Sequence, residues 1–200
     1  MRLPRGRRGS GTSGRGLFAN GKGMSLFEVL IAFLLVAVLS ALIVPPVKAR
    51  LDMAEASAIV DNLNNVRRAV VRYRDTVGRY PSHLRQLYTR PGTGGVPSTD
   101  ICAGTLPAAN IARWSGPYLV NPIPAAGIEV GRSVLLQDAL QLNVASGEYL
   151  QIIVSGMSAG IADEVDISFD GGDAPSRLSG TVTYTVGTGL MRFWIAISGC

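Results

Sequence analysis

Histidine and cysteine are almost missing from this 200-residue sequence, which holds one histidine, His83, and two cysteines, Cys102 and Cys200. These three side chains cannot complete a four-ligand structural zinc site without carboxylates. An even cysteine count in an exported chain reads as one disulfide, with two free thiols as the alternative. Charge is scarce as well: Asp, Glu, Lys and Arg make up 16% of the residues, against roughly 25% in ordinary soluble domains. The mean hydropathy is +0.26, so part of the chain is built for a setting other than water. Acidic residues are wholly missing from residues 1–23, which hold six basic residues and seven of the 24 glycines. The formal net charge of +5 arises there, because residues 24–200 carry thirteen basic against fourteen acidic residues, net −1. A basic chain ordinarily suggests nucleic acid or a membrane surface. Confinement of the excess to the first 23 residues argues against nucleic acid as a partner of the remainder.

Residues 1–23 are rich in Arg, Gly and Ser, have no hydrophobic period and are too polar to bury a core. Gly16 to Gly23 nearly spells a phosphate-binding loop, but no Ser or Thr follows Lys22 and no strand precedes it. Composition then changes abruptly. Residues 24–44 read MSLFEVLIAFLLVAVLSALIV, and the nineteen residues from Val29 to Val47 carry no charge. At 1.5 Å per residue such a helix spans roughly 28 Å, about one hydrocarbon core. Basic residues in front of it predict a cytoplasmic N-terminus and export of the remainder. A cleaved secretory signal fits poorly, because its apolar region is usually shorter and no good A-x-A site follows. A plain signal anchor accounts for neither Gly23 nor Glu28. A carboxylate within a membrane segment is costly and marks a functional position by default, although Glu28 near the end of the segment also has the option of snorkelling to the interface.

The run Lys22-Gly23-Met24-Ser25-Leu26-Phe27-Glu28-Val29-Leu30-Ile31-Ala32, with Pro45 further on, resembles the processing site of type IV prepilins and type II secretion pseudopilins. The resemblance covers 22–46. It implies cleavage after Gly23 by a prepilin peptidase, which also N-methylates the new first residue, Met24. Glu28 is then the fifth residue of the mature chain and Pro45 the twenty-second, where the family carries a glutamate and often a proline. Glycine at the cut lets a protease approach the backbone closely. The new α-amino group and the Glu28 carboxylate each need an opposite charge in low dielectric, and in the family's filaments they are thought to meet between subunits. Met24 behind a long leader looks like the type IVb branch. Gly78-Arg79-Tyr80-Pro81 resembles instead the turn after the long helix in major pseudopilins of type II secretion.

Pro45-Pro46 predicts a break or kink. Beyond it an apolar stripe is read at Val47, Leu51, Ala54, Ala58, Leu63, Val66, Val70, Tyr73 and Val77, spaced mostly by 3 and 4. One kinked helix is thus expected from about 25 to 77, with Gly78 as its stop. Ser82 is the expected cap of a following short helix, with His83 on its surface. Residues 91–130, rich in Gly, Pro, Ser and Thr, are expected to be loop with short elements, and Trp114 with Gly116-Pro117-Tyr118-Leu119 a packed anchor. Strands are expected at Ser133–Gln137, weakly, then at Ala139–Ala145, Glu148–Ser155, Gly180–Val186 and Leu190–Ser198, with a short helix over Ser158–Phe169. The fold class is therefore α+β: a long kinked N-terminal helix packed on a roughly four-stranded antiparallel sheet, the architecture the pilin resemblance also implies.

Asp163, Glu164, Asp166, Asp170 and Asp173 place five acids in eleven residues. Oxygen-rich clusters can bind calcium, so Asp166, Asp170 and Asp173 are weak calcium candidates against a plain solvated face; no other cofactor is expected. Joining Cys102 to Cys200 would close a long loop, and type IV pilins often staple this region with one disulfide. Residues 45–90 carry nine basic and four acidic residues and residues 91–200 four and nine, which reads either as a solvated accident of composition or as acidic heads that meet basic helix-adjacent surfaces of neighbouring subunits. The division is a basic leader over 1–23 that is removed, a membrane and filament-core helix over 24–46, and a head over 47–200. The resemblance implies a non-enzymatic structural subunit, held in the bacterial inner membrane and then carried in a periplasmic or cell-surface filament. Its partners would be the prepilin peptidase and methyltransferase, other pilin or pseudopilin subunits, and an inner-membrane assembly platform. A membrane-anchored periplasmic enzyme or binding module is the rival reading, and no active-site cluster is legible for it.

Overall fold

The computed structural model describes residues 25–132, 134–144, 147–171, 180–185 and 187–199. The chain divides into two compact units, residues 1–45 and 46–200. Helix α1, Leu26–Val77, starts in the first and continues in the second. Its first turn is held by Ser25, whose hydroxyl accepts from Phe27 N–H at 3.3 Å and whose carbonyl accepts from Glu28 N–H at 2.9 Å. A serine at this position supplies acceptors for donors that have no helical partner. The most apolar window of α1 has a mean hydropathy of 2.9 with none of it buried, a helix long and apolar enough to cross a membrane. Pro45-Pro46 does not break the helix, whose assignment runs through both residues. Each proline removes one backbone donor, but the remaining ladder on either side is long.

In the second unit the buried stripe of α1 is Ala56, Ile59, Leu63, Val66, Ala69, Val70, Tyr73 and Val77. This corrects the first part of the expected stripe, since Val47, Leu51, Ala54 and Ala58 are exposed. Stepping back from Leu63 by four and three residues gives Ile59 and Ala56. Ala58 lies five residues back, about 140° round the helix. The helix stops at Gly78, whose φ of +80° is open to glycine without strain.

Among the described residues the sheet has six strands, all antiparallel, where about four were expected. They are β1 Gly127–Glu129, β2 Leu135–Gln137, β3 Gln141–Asn143, β4 Tyr149–Ser155, β5 Val182–Thr185 and β6 Leu190–Ala196, in the order β1-β2-β4-β6-β5 with β3 also on β4. The central pair runs from Tyr149↔Ala196 to Val154↔Met191. Both β2 and β3 lie along the same edge of β4, the first opposite its C-terminal end and the second opposite its N-terminal end. Between them residues 138–140 leave the sheet to pair with the chain after α1: Leu84 N–H donates to Asp138 carbonyl and Leu140 N–H to Ser82 carbonyl, at 2.8 and 2.9 Å. That detour shortens the expected strand over 139–145.

Alternation along the strands directs Leu150, Ile152 and Val154 of β4, Met191, Phe193 and Ile195 of β6 and Val182 and Tyr184 of β5 into one core with the stripe of α1. Helix α3, Ala159–Asp170, adds Ile161, Ala162 and Val165. Ser158 caps it, its hydroxyl accepting from Ile161 N–H, and left-handed Gly171 ends it. The short helix Leu84–Leu87 is a 3-10 turn with His83, not Ser82, in the cap position. Ser82 is drawn away because its hydroxyl donates to Thr99 carbonyl at 2.9 Å; the side-chain oxygen of Gln86 receives Ser82 N–H instead, at 2.8 Å.

Candidate functional site

Two of the processing positions, Gly23 and Met24, lie outside the described residues, as do Asp173 and Cys200. Glu28 stands in the first turn of α1 and is exposed, among exposed Leu26, Phe27, Leu30 and Ile31. A carboxylate there complements the partial positive charge at a helix N-terminus. From Leu26 to Val44 almost every large apolar side chain is exposed, so this stretch presents unpartnered hydrophobic surface on all sides. Pro45 falls where that stretch ends, inside the continuous helix.

The end of α1 is tied down by the chain that follows it. Helix α2, Ala108–Ala112, brings Asn110 and the adjoining Arg113 to the Val77 carbonyl, to which they donate at 2.7 and 2.9 Å. Two side-chain donors thus satisfy a carbonyl that the ended helix leaves free. Trp114 Nε1 donates to Gln86 carbonyl at 3.0 Å, and Tyr118 N–H to Leu87 carbonyl at 2.7 Å. The rings of Tyr73, Tyr118 and Trp114 meet edge-on, at 5.7 and 5.8 Å between centroids. The expected anchor therefore packs against both α1 and the 3-10 turn. Burial, helped by Tyr118 and then Asp100, pushes the Tyr73 phenol well above its ordinary pKa.

Cys102 is disulfide-bonded. It sits in a tight turn in which Asp100, 5% exposed, accepts Gly104 N–H at 2.8 Å through its carboxylate. Ile101 N–H donates to Tyr80 carbonyl at 3.2 Å, and Pro81 bridges Asp100, so the cysteine turn rests on the segment Gly78-Arg79-Tyr80-Pro81. A second buried acid, Asp138, receives Arg85 through both backbone and side chain, at 2.8 Å to the N–H and 2.7 Å to Nε. This pair locks the 3-10 turn to the gap between β2 and β3. Sequence reading missed it, because the partners stand 53 residues apart.

Of the calcium candidates, Asp166 and Asp170 are described and Asp173 is not. Among the described residues no three His, Cys, Asp or Glu side chains come together as ligands. The two carboxylate oxygens of Asp170 accept Thr181 N–H and Val182 N–H, both at 2.9 Å, which assigns that residue to holding the start of β5. His83 Nδ1 lies 2.9 Å from Ser82 Oγ. The Ser82 proton is directed at Thr99 carbonyl, and among the described residues no carboxylate pairs with the imidazole, so the pair lacks the third group that orients a base.

One open groove of about 410 Å³ lies on α1, between Asn62, Asn65, Arg68 and Arg72 on one wall and Leu119, Val120, Asn121 and Pro122 on the other. Arg67 stands beside it and shares a shallower depression with Arg68 and Arg72. The sequence signal for this groove was the run of arginines on the polar side of the stripe; the opposing wall, supplied by a loop some fifty residues later, carries no such signal. Comparison of the chain with family models, with curated proteins and with solved structures returns no match.

Proposed function

We propose that the chain is a non-enzymatic structural subunit of a type IV pilus or pilus-like filament, cleaved after Gly23, N-methylated at Met24 and assembled through its N-terminal helix. The observation that carries this reading is the stretch from Leu26 to Val44. It is apolar on every side, exposed at almost every large side chain, and headed by a single carboxylate, Glu28, in a serine-capped first turn. Such a surface is at home in lipid, and equally against copies of itself, once the charge at Glu28 finds a partner. The new amino group of Met24 in a neighbouring subunit is that partner. Partner proteins supply processing and the assembly platform, and the head over 47–200 faces the periplasm or the cell surface. The Cys102 disulfide, with Cys200 as its other half, staples that head.

A type II secretion pseudopilin is the second reading. Gly78-Arg79-Tyr80-Pro81 favours it, because this turn both ends α1 and receives the Cys102 turn. Mass spectrometry of the N-terminus from the membrane fraction tests the shared core of both readings. A chain beginning with N-methyl-Met24 is expected. A chain beginning at Met1, or past residue 40, overturns the proposal.

A further inference from the structure

The groove on α1 is braced on both sides. On the helix wall, Asn65 Oδ1 receives Arg68 Nη2 at 2.6 Å, which steadies that guanidinium. On the loop wall, Tyr118 is anchored by its N–H on Leu87 carbonyl and by its edge-on contact with Tyr73. The floor includes Val66 and Ala69 of the buried stripe. Arg68 and Arg72 stand on one side of it and Val120, 92% exposed, on the other. Among the described residues neither Arg72 nor the adjacent Arg67 enters an ion pair, and Arg68 reaches only Asn65. A guanidinium carries five donors in a rigid fork that matches a carboxylate, so most donors of this rim are unused. Asn62 Nδ2 donates to Ala58 carbonyl at 2.8 Å, which leaves its side-chain oxygen as an acceptor in the groove.

From Asn62 to Arg72 the groove follows α1 for about 15 Å, the reach of about five residues of extended chain. Successive side chains of such a chain point to opposite sides. Acids at alternate positions would meet the arginine wall, and aliphatic residues between them would lie against Leu119 and Val120. The rim donors call for an anion, the Asn62 oxygen for a donor, and the loop wall for an apolar group. A peptide supplies all three, whereas a phosphate or nucleic-acid backbone supplies only the first. The chain's own acidic stretch is not that peptide: Asp170 holds the start of β5, and Asp163 and Asp166 are already engaged. We propose that the α1 groove binds an acidic, aliphatic segment of another protein, with its carboxylates on Arg68 and Arg72 and its aliphatic side chains against Val120. The opposite charge across the contact would speed the encounter and fix the register of the segment. This goes beyond the filament reading and does not rest on it, because the groove lies wholly within the unit over residues 46–200.

The test uses the full-length chain in detergent and fluorescence anisotropy of labelled pentapeptides that alternate Asp or Glu with Leu or Val. Matched sets carry Asn or Gln for the acids, or Ser for the aliphatic residues, and labelled oligothymidine serves as a plain polyanion. The acidic, aliphatic set is expected to bind, and each matched set to bind about threefold to tenfold more weakly. Arg68→Gln with Arg72→Gln is expected to weaken the acidic, aliphatic set by the same factor, as two exposed ion pairs allow. Reversal of both charges, Arg68→Glu with Arg72→Glu, is expected to transfer the preference to pentapeptides that alternate Lys with Leu, a gain that misfolding cannot imitate. A benzophenone amino acid in place of Val120 is expected to capture the labelled acidic, aliphatic peptide on illumination. The proposal is overturned if no acidic, aliphatic peptide binds, or if the Ser set or oligothymidine binds as well. It is equally overturned if the arginine variants leave binding unchanged, or if the probe at Val120 joins two copies of the chain in place of the peptide.

Discussion

Tyr73 is among the largest fully buried side chains of the head, and its hydroxyl has no hydrogen-bond partner among the described residues. A buried hydroxyl left without a partner costs free energy. Tyr73→Phe is therefore expected to be neutral or stabilising by up to about 1 kcal/mol, with the edge-on contact to Tyr118 kept. The same burial raises the phenol's pKa in the folded chain, so in this protein the folded state holds a proton that the unfolded state releases. Stability from this source is complete below about pH 10 and is lost as the pH rises further. Denaturant titrations from about pH 9 to pH 11 are expected to show a shallower alkaline decline for Tyr73→Phe than for the unaltered chain. Equal declines would mean that the ring is hydrated. Tyr73 was legible as a core position from its place in the helical stripe. Its missing hydrogen bond was not, because that depends on what the Trp114–Tyr118 loop brings against it.

At the scale of elements, α3 and β5 are joined by Asp170, whose carboxylate takes the first two backbone donors of the returning strand. Asp170→Ala leaves both donors unmet and is expected to cost about 1–3 kcal/mol, seen as faster hydrogen exchange at Thr181 and Val182. Asp170→Asn, which keeps one acceptor oxygen, is expected to recover part of the loss. An exchange rate unchanged in both variants would show that β5 is held by its pairing with β6 alone. The extent of α3 could be read locally, because a cap and a stop act within a few residues. The function of Asp170 could not be read. In sequence it is one of five clustered acids, and its real partners lie eleven and twelve residues on. Ser82 shows the opposite error: a good cap by type, it is claimed by Thr99 seventeen residues away. The count of strands erred for a related reason. Strands β2 and β3 fall within the strands expected over 133–137 and 139–145, whereas β1, three residues long, lies inside the expected loop over 91–130 and is too short for alternation to declare itself.

At the scale of the molecule, the disulfide at Cys102 acts on the unfolded chain more than on any local contact. With Cys200 as the proposed partner its loop would span about 100 residues, for which the chain-entropy account gives roughly 4–5 kcal/mol. Reduction, or Cys102→Ser, is expected to lower the unfolding midpoint of the head clearly in a thermal scan. A midpoint insensitive to reductant would detach Cys200 from this assignment. Charge is likewise a whole-molecule property. Nine basic residues fall in 45–90 and nine acidic ones in 91–200, yet Arg85, Asp138 and Asp170 from those two sets are consumed inside the head.

The sequence by itself determined the α+β class, the long apolar helix, its glycine stop, the short helix over Ser158–Phe169 and the processing resemblance over 22–46. Each of these follows from residues within a turn or two of one another, where propensity, hydrophobic period and capping act. Only the tertiary structure decided which turns of α1 are buried before Leu63, that six strands form the sheet, and that Asp170 secures β5. It also decided that a loop from residues 119–122 turns a row of arginines into a groove. Those outcomes depend on pairings across tens of residues, which no local period records.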